Sequence, residues 1–261
     1  MQGALAAPRL PPGASLRTFE VPTVPLESDA LAELPSLQAD RVEVAVALPA
    51  ALDPTRVHPI LITQVTADHF RPNITELGEY APTALEQGYV VLTAQGIPWP
   101  ASPESDTLLH RYVSVRAALR WLAGELPQSE HWPIVIAGFS GGSKISQVLA
   151  VSLMLEQRNV AGVFLGGCNE DHSRLLLAEY PAVRERFAQI AFFLSVGNDD
   201  RISPPSAVRS VAEHLRSSGV QHLELSEHPG GHRLDTRDLS KALKWFRTQL
   251  AQQRAPDGSK G

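Results

Sequence analysis

Three stretches of this chain, Ile134-Val135-Ile136, Val163-Phe164-Leu165 and Ile190-Ala191-Phe192-Phe193-Leu194, are apolar at every position instead of every second one. A strand with one face in water alternates apolar and polar residues. Continuous runs therefore belong to strands covered on both faces, as in a parallel sheet flanked by helices. Strand-like runs bounded by turn residues fall at about 17–25, 40–49, 59–65, 88–94, 132–138, 160–166, 190–196 and 220–226. Helical stripes lie between them: Leu108, Tyr112, Val115, Leu119 and Leu122; Val208, Val211, Ala212 and Leu215; and Leu239, Leu243, Phe246 and Leu250. The second of these helices is predicted to start on a Ser203 cap with Pro204 and Pro205 in its first turn, and to stop at Gly219. The first two strands precede any helix, and strand and helix alternate from residue 59 onward. That order predicts an α/β fold: an eight-stranded, mostly parallel sheet entered through an antiparallel edge, with helices on both faces.

The chain has 261 residues, and 43% hydrophobic with 20% charged residues suits one packed core, which argues against disorder of the whole chain. Residues 17–251 read as a single domain. Residues 1–16, with Pro8, Pro11 and Pro12, read as an arm, and 252–261 as a tail. A net charge of −5 without basic runs argues against a nucleic-acid partner. No stretch approaches the ~20 apolar residues of a membrane span, so a soluble protein is expected. The start lacks the charged segment and apolar core of a signal peptide, whereas Ala4-Leu5-Ala6-Ala7 has the composition found around a signal-peptidase cut. Cytoplasmic and secreted locations both fit. The single cysteine, Cys168, forms no internal disulfide and gives no information about compartment.

After the run at 132–138 comes Gly138-Phe139-Ser140-Gly141-Gly142, and Ile145, Val148, Leu149 and Leu153 then begin a helix. A Gly-x-Ser-x-Gly segment between strand and helix forms a tight elbow that presents the serine, and glycine is needed where the backbone passes closely. The helix N-terminus and the amide of Gly141 then face the place where an oxyanion would develop. The alternative is a phosphate-binding turn, but the Lys-Ser/Thr of such loops is absent. Serine needs a base to take its proton, so an acid and a histidine are expected after later strands. Asp200 follows the run at 190–196, and His232 follows the run at 220–226 in Glu227-His228-Pro229-Gly230-Gly231-His232.

These residues resemble the α/β-hydrolase family over about 17–250, most closely its short-lid esterases. Gly197, Asp200 and Pro204 match the pattern Gly-x-x-Asp-x-x-x-Pro, and Gly231-His232 matches the Gly-Gly-His ending. The segment Arg41 to Val65, with Pro49, Asp53 and Pro59, is similar to the lead into the oxyanion loop of dienelactone-hydrolase-like and polyhydroxybutyrate-depolymerase-like esterases. The resemblance implies covalent acyl-enzyme catalysis without a cofactor. One departure is that the common His-Gly after the third strand is replaced by Val65-Thr66-Ala67-Asp68, so the second oxyanion amide would come from Thr66 or Ala67.

Other residues compete for roles. Asp199 reads as a solvent-facing neighbour of the acid, and Glu170 or Asp171 is an alternative acid. Asp68, His69, Cys168, Asp171, His172 and His228 lack the spacing of any metal motif, and no metal is expected. Cys168 has no base pattern beside it and reads as a small buried residue. Trp99 is either a wall of the substrate cleft or a packed anchor, while Lys144, Arg201 and Arg233 read as solvated charges. The expected activity is hydrolysis of a small or polymeric carboxylic ester by Ser140, His232 and Asp200. The alternatives are a peptidase or amidase with the same triad, or a hydrolase-like binding protein. Only about two dozen residues separate the sixth and seventh strands, which leaves no room there for a large cap.

Overall fold

A computed structural model describes residues 10–22, 41–66, 73–96 and 108–254. The apolar runs become β1 (Ser15–Pro22), β2 (Arg41–Leu48), β3 (Ile60–Gln64), β4 (Val90–Gly96), β5 (Ile134–Phe139), β6 (Val160–Gly166), β7 (Ala191–Gly197) and β8 (His222–His228). Among the described residues they form one eight-stranded sheet in the order β1-β2-β4-β3-β5-β6-β7-β8. The β1–β2 and β2–β4 pairs are antiparallel, and the remaining pairs are parallel. The helices are α1 (Asn73–Glu86), α2 (Leu108–Glu125), α3 (Gly141–Leu155), α4 (Ser173–Glu179), α5 (Arg184–Ala188), α6 (Pro205–Ser217) and α7 (Thr236–Arg254).

Period-two geometry sends alternate residues of each strand into two separate cores. Ile134 and Ile136 of β5, Val163 and Leu165 of β6, and Phe192 and Leu194 of β7 pack beneath α2, α3 and α6. Val135, Ala137, Phe164 and Phe193 pack on the opposite face beneath α1 and α7. Both faces of the central strands are dry, which explains why their sequences do not alternate. Between β6 and β7, residues 167–190 hold two short helices and a 3-10 turn. Among the described residues, no helix is long and apolar enough to cross a membrane.

Two of the predicted helices differ in detail from the sequence reading. Ser203 does not cap α6: the cap position is Pro204, without a side-chain bond, and the Ser203 amide instead donates to Asp200 Oδ1. Leu108, at the head of the predicted stripe of α2, is exposed, whereas Val115, Leu119 and Leu122 are buried.

Candidate active site

The turn between β5 and α3 is held in a conformation that an ordinary sequence would not adopt. Ser140 has φ 54° and ψ −122°, a strained backbone for a residue with a side chain. Its amide donates to Gly166 O of β6 at 2.8 Å. Two glycines make the turn possible by close approach. A Cβ on Gly138 would lie 2.2 Å from Gly142 C and O, and one on Gly142 would lie 2.2 Å from Gln64 O. The elbow is thus pressed against the end of β3.

The acid and the histidine come from the two neighbouring strand ends. Beyond β7 and β8 the chains stay bonded: Asn198 N–H donates to His228 O, and Asp199 N–H donates to Gly230 O. Gly197 lets them meet, since a Cβ there would lie 2.3 Å from Gly230 O. Asp200 is buried, and its Oδ1 accepts the amides of Ile202 and Ser203 at 2.9 and 2.8 Å. Its Oδ2 is 2.7 Å from His232 Nδ1, and His232 Nε2 is 2.9 Å from Ser140 Oγ. With Asp200 ionised, Nδ1–H donates to it, leaving the Nε2 lone pair to accept the serine proton. The imidazole ring lies 4.7 Å from the Phe139 ring at 49°. Gly167 lies beneath it, where a Cβ would approach His232 Cε1 to 3.2 Å.

Thr66 stands beside the elbow. A Cβ on Gly141 would meet Thr66 Cγ2 at 2.8 Å and its Cα at 3.3 Å, and Thr66 Oγ1 donates to Phe139 O at 3.3 Å. Buried Arg111 donates from Nη1 to Val65 O at 2.6 Å, which fixes the preceding peptide. Gly141 is the first residue of α3, so its N–H has no acceptor within the helix.

The structure brings Ser140, His232, Asp200, Gly141 and Thr66 together. Ala67, Asp68, His69 and Trp99 lie outside the described residues. Asp199 is exposed beside the acid. Glu170 points elsewhere: it binds Lys144 at 3.0 Å and His172 at 2.9 Å, and these two partners lower its pKa in that order. Lys144 is therefore paired, whereas its sequence suggested a freely solvated charge. Asp171 Oδ1 accepts the amide and hydroxyl of Ser173 at the start of α4. Burial pushes the Cys168 thiol up to about 11, so it is no thiolate at neutral pH. Among the described residues, no three His, Cys, Asp or Glu side chains converge as metal ligands would.

Sequence reading missed Gln147. Fully buried on α3, it donates to Cys168 Sγ at 3.2 Å and to Glu170 O at 3.0 Å, and accepts the amide of His172 at 3.1 Å. It ties the loop after β6 to the elbow helix. A polar residue beside an apolar helical stripe gives no sequence signal for that role.

Sequence comparison finds no match among protein-family models or curated proteins. Comparison of structures does. A bacterial heroin esterase superimposes with a TM-score of 0.64 at 17% identity, covering 92% of this chain and 85% of that one. An esterase from Rhizomucor miehei gives 0.63 at 10% identity, covering 96% and 87%. Esterase B from Lactobacillus rhamnosis, inhibited by a tributyrin phosphonate, gives 0.60 at 16% identity, covering 94% and 89%. With the strand order, the strained serine elbow and the acid and histidine loops beside it, these likenesses establish that the chain has the α/β-hydrolase fold.

Proposed function

We propose that the protein is a serine hydrolase that cleaves carboxylic esters through an acyl-enzyme. The observation that carries this reading is the hydrogen-bonded chain from Ser140 Oγ through His232 to Asp200, at 2.9 and 2.7 Å, on a serine with φ 54°. Ser140 Oγ attacks the ester carbonyl as its proton passes to His232 Nε2, and Asp200 stabilises the imidazolium. The tetrahedral oxyanion is held by the amides of Gly141 and Thr66. Collapse expels the alcohol, which takes the proton from His232. Water, deprotonated by the same imidazole, then releases the carboxylic acid and regenerates Ser140. No step calls for a cofactor.

Esters are favoured over other acyl substrates because the neighbours in fold described above are esterases. The short connection at 167–190 supports an open cleft suited to short acyl chains, exposed aryl or sugar esters, or a polymer chain. The likeness to dienelactone-hydrolase-like and polyhydroxybutyrate-depolymerase-like esterases rests on the segment 41–65 and the elbow alone.

The test is turnover of p-nitrophenyl esters of increasing chain length and of a matched anilide, with wild type beside Ser140→Ala. Expected are ester turnover that falls by about five to six orders of magnitude in the variant and a much slower anilide. Ester turnover that survives in Ser140→Ala would refute the mechanism, and an equally fast anilide would make the protein an amidase.

A further inference from the structure

The start of α7 holds two buried carboxylates, one at the cap and one in the first turn, that the proposed reaction does not use. Asp235 caps the helix, its Oδ1 accepting the amides of Arg237 and Asp238 at 2.9 and 3.0 Å. Asp238 is only 8% exposed and bonds outside its helix. Its Oδ2 accepts Ser195 Oγ–H at 2.7 Å, and its Oδ1 accepts Ser226 Oγ–H at 2.8 Å. Ser195 and Ser226 are direct cross-strand partners on β7 and β8. One carboxylate thus joins two adjacent strands to the helix that covers them.

Those two strands deliver the acid and the base. The ladder ends at the pair Gly197 and His228, from which the chains run on to Asp200 and His232. Burying a carboxyl group is unfavourable unless its oxygens are hydrogen-bonded, and here two hydroxyls and the positive end of α7 compensate. Packing alone does not require such a group. Phe193, two residues before Ser195 on the same face, meets the same helix through Trp245 at 6.3 Å between ring centres. Apolar contacts slide at little cost, whereas two short bonds to opposed hydroxyls fix both spacing and register.

The geometry points to Asp238 as a positioning residue for the Asp200–His232 pair. Through Ser195 and Ser226 it locks the ends of β7 and β8, so that the 2.7 Å bond between acid and imidazole is already formed before substrate arrives. This rests on the reading that Ser140, His232 and Asp200 hydrolyse esters.

The test compares Asp238→Ala, Asp238→Asn, Ser195→Ala and Ser226→Ala in the full chain. Competent sites are counted with a fluorophosphonate, and kcat and KM are measured on p-nitrophenyl acetate. Asn accepts from one serine and donates to the other, so Asp238→Asn should keep kcat per site within threefold of wild type. Asp238→Ala should lose at least tenfold in kcat with KM within twofold, and each serine variant about threefold. If Asp238→Ala does not fold, the serine variants decide. Wild-type kcat per site in Asp238→Ala, or in both serine variants, overturns the proposal, as does an Asn variant as slow as the Ala variant. A wild type that labels and turns over beside an unchanged Asp238→Ala removes this inference alone. A wild type that neither labels nor turns over removes the esterase reading, and this inference with it.

Discussion

Gly142→Ala tests the packing on which the site depends. The added Cβ would sit 2.2 Å from Gln64 O, 2.8 Å from Gln64 C and 3.0 Å from Val65 C, all of them backbone atoms with no rotamer to yield. Relief to 3.0 Å, the closest approach real Cβ atoms make, requires the elbow and the end of β3 to separate by about 0.8 Å. Overpacking of this kind costs roughly 1–3 kcal/mol. In a chain of this size that lowers Tm by about 2–4 °C per kcal/mol. The separation runs between Ser140-Gly141 and Val65-Thr66, the two sides of the proposed oxyanion site. A misplacement near 1 Å is worth about 10²-fold in rate. Gly124→Ala is the matched control, because nothing lies within 4 Å of its Cβ and it sits in the last turn of α2. It should gain about 0.5–1 kcal/mol from helix propensity and leave kcat unchanged. Thermal unfolding and p-nitrophenyl ester turnover on the same samples measure both effects. A Gly142→Ala protein with wild-type Tm and kcat would show that the contact between the elbow and β3 does not hold the site.

Other positions give independent predictions. Asp200→Asn preserves the acceptor for the amides of Ile202 and Ser203 but imposes the wrong tautomer on His232, so kcat should fall about 10⁴-fold with the fold intact by circular dichroism. Gln157 closes α3 at φ 61°, its amide bonded to Met154 O and that of Arg158 to Leu153 O. Gln157→Gly relieves a left-handed backbone that costs about 1–2 kcal/mol, against about 0.5–1 kcal/mol for the entropy of glycine, so stability in urea unfolding should rise by about 0.5–1 kcal/mol despite the loss of its exposed bond from Arg186. Burial pushes the Asp235 carboxyl up, but the amide of Asp238 and the guanidinium and amide of Arg237 outweigh it, so its pKa lies below the usual 3.8. Its ionised form therefore stabilises the fold above pH 3.8, and that contribution is lost as pH falls through the lower native value. Relative to Asp235→Asn, the wild-type advantage in urea midpoint should be constant above about pH 5 and shrink below about pH 4.

The central strands were legible because burial on both faces leaves continuous apolar runs, and Ile134-Val135-Ile136 and Val163-Phe164-Leu165 lie in β5 and β6 as expected. Their edges were less legible, because buried apolar residues also close helices. The predicted strand at 88–94 begins at Val90, since Gly88 and Tyr89 bond back to Leu85 and Ala84 at the end of α1. The strand at 220–226 begins at His222, since Val220 bonds back to Leu215 at the end of α6. α1 itself passed unnamed: Pro82 sits within it, although Leu77, Tyr80, Ala81 and Ala84 lie on one buried face. That Ser140, Asp200 and His232 lie together was legible because an elbow and its two loops need glycine at fixed offsets. The roles of Gln147 and Asp238 were not. The first lies beside an apolar stripe, and the second reads as an ordinary acid in a first turn. Their partners, Cys168 and the Ser195–Ser226 pair, adjoin them only after the sheet has formed.

Whether Ser140 is an activated nucleophile is read from the intact-protein mass after exposure to a fluorophosphonate. One adduct per chain is expected, mapped to Ser140, and none in Ser140→Ala under the same conditions. A folded wild type that stays unmodified, or an adduct that persists undiminished in Ser140→Ala, would show that it is not.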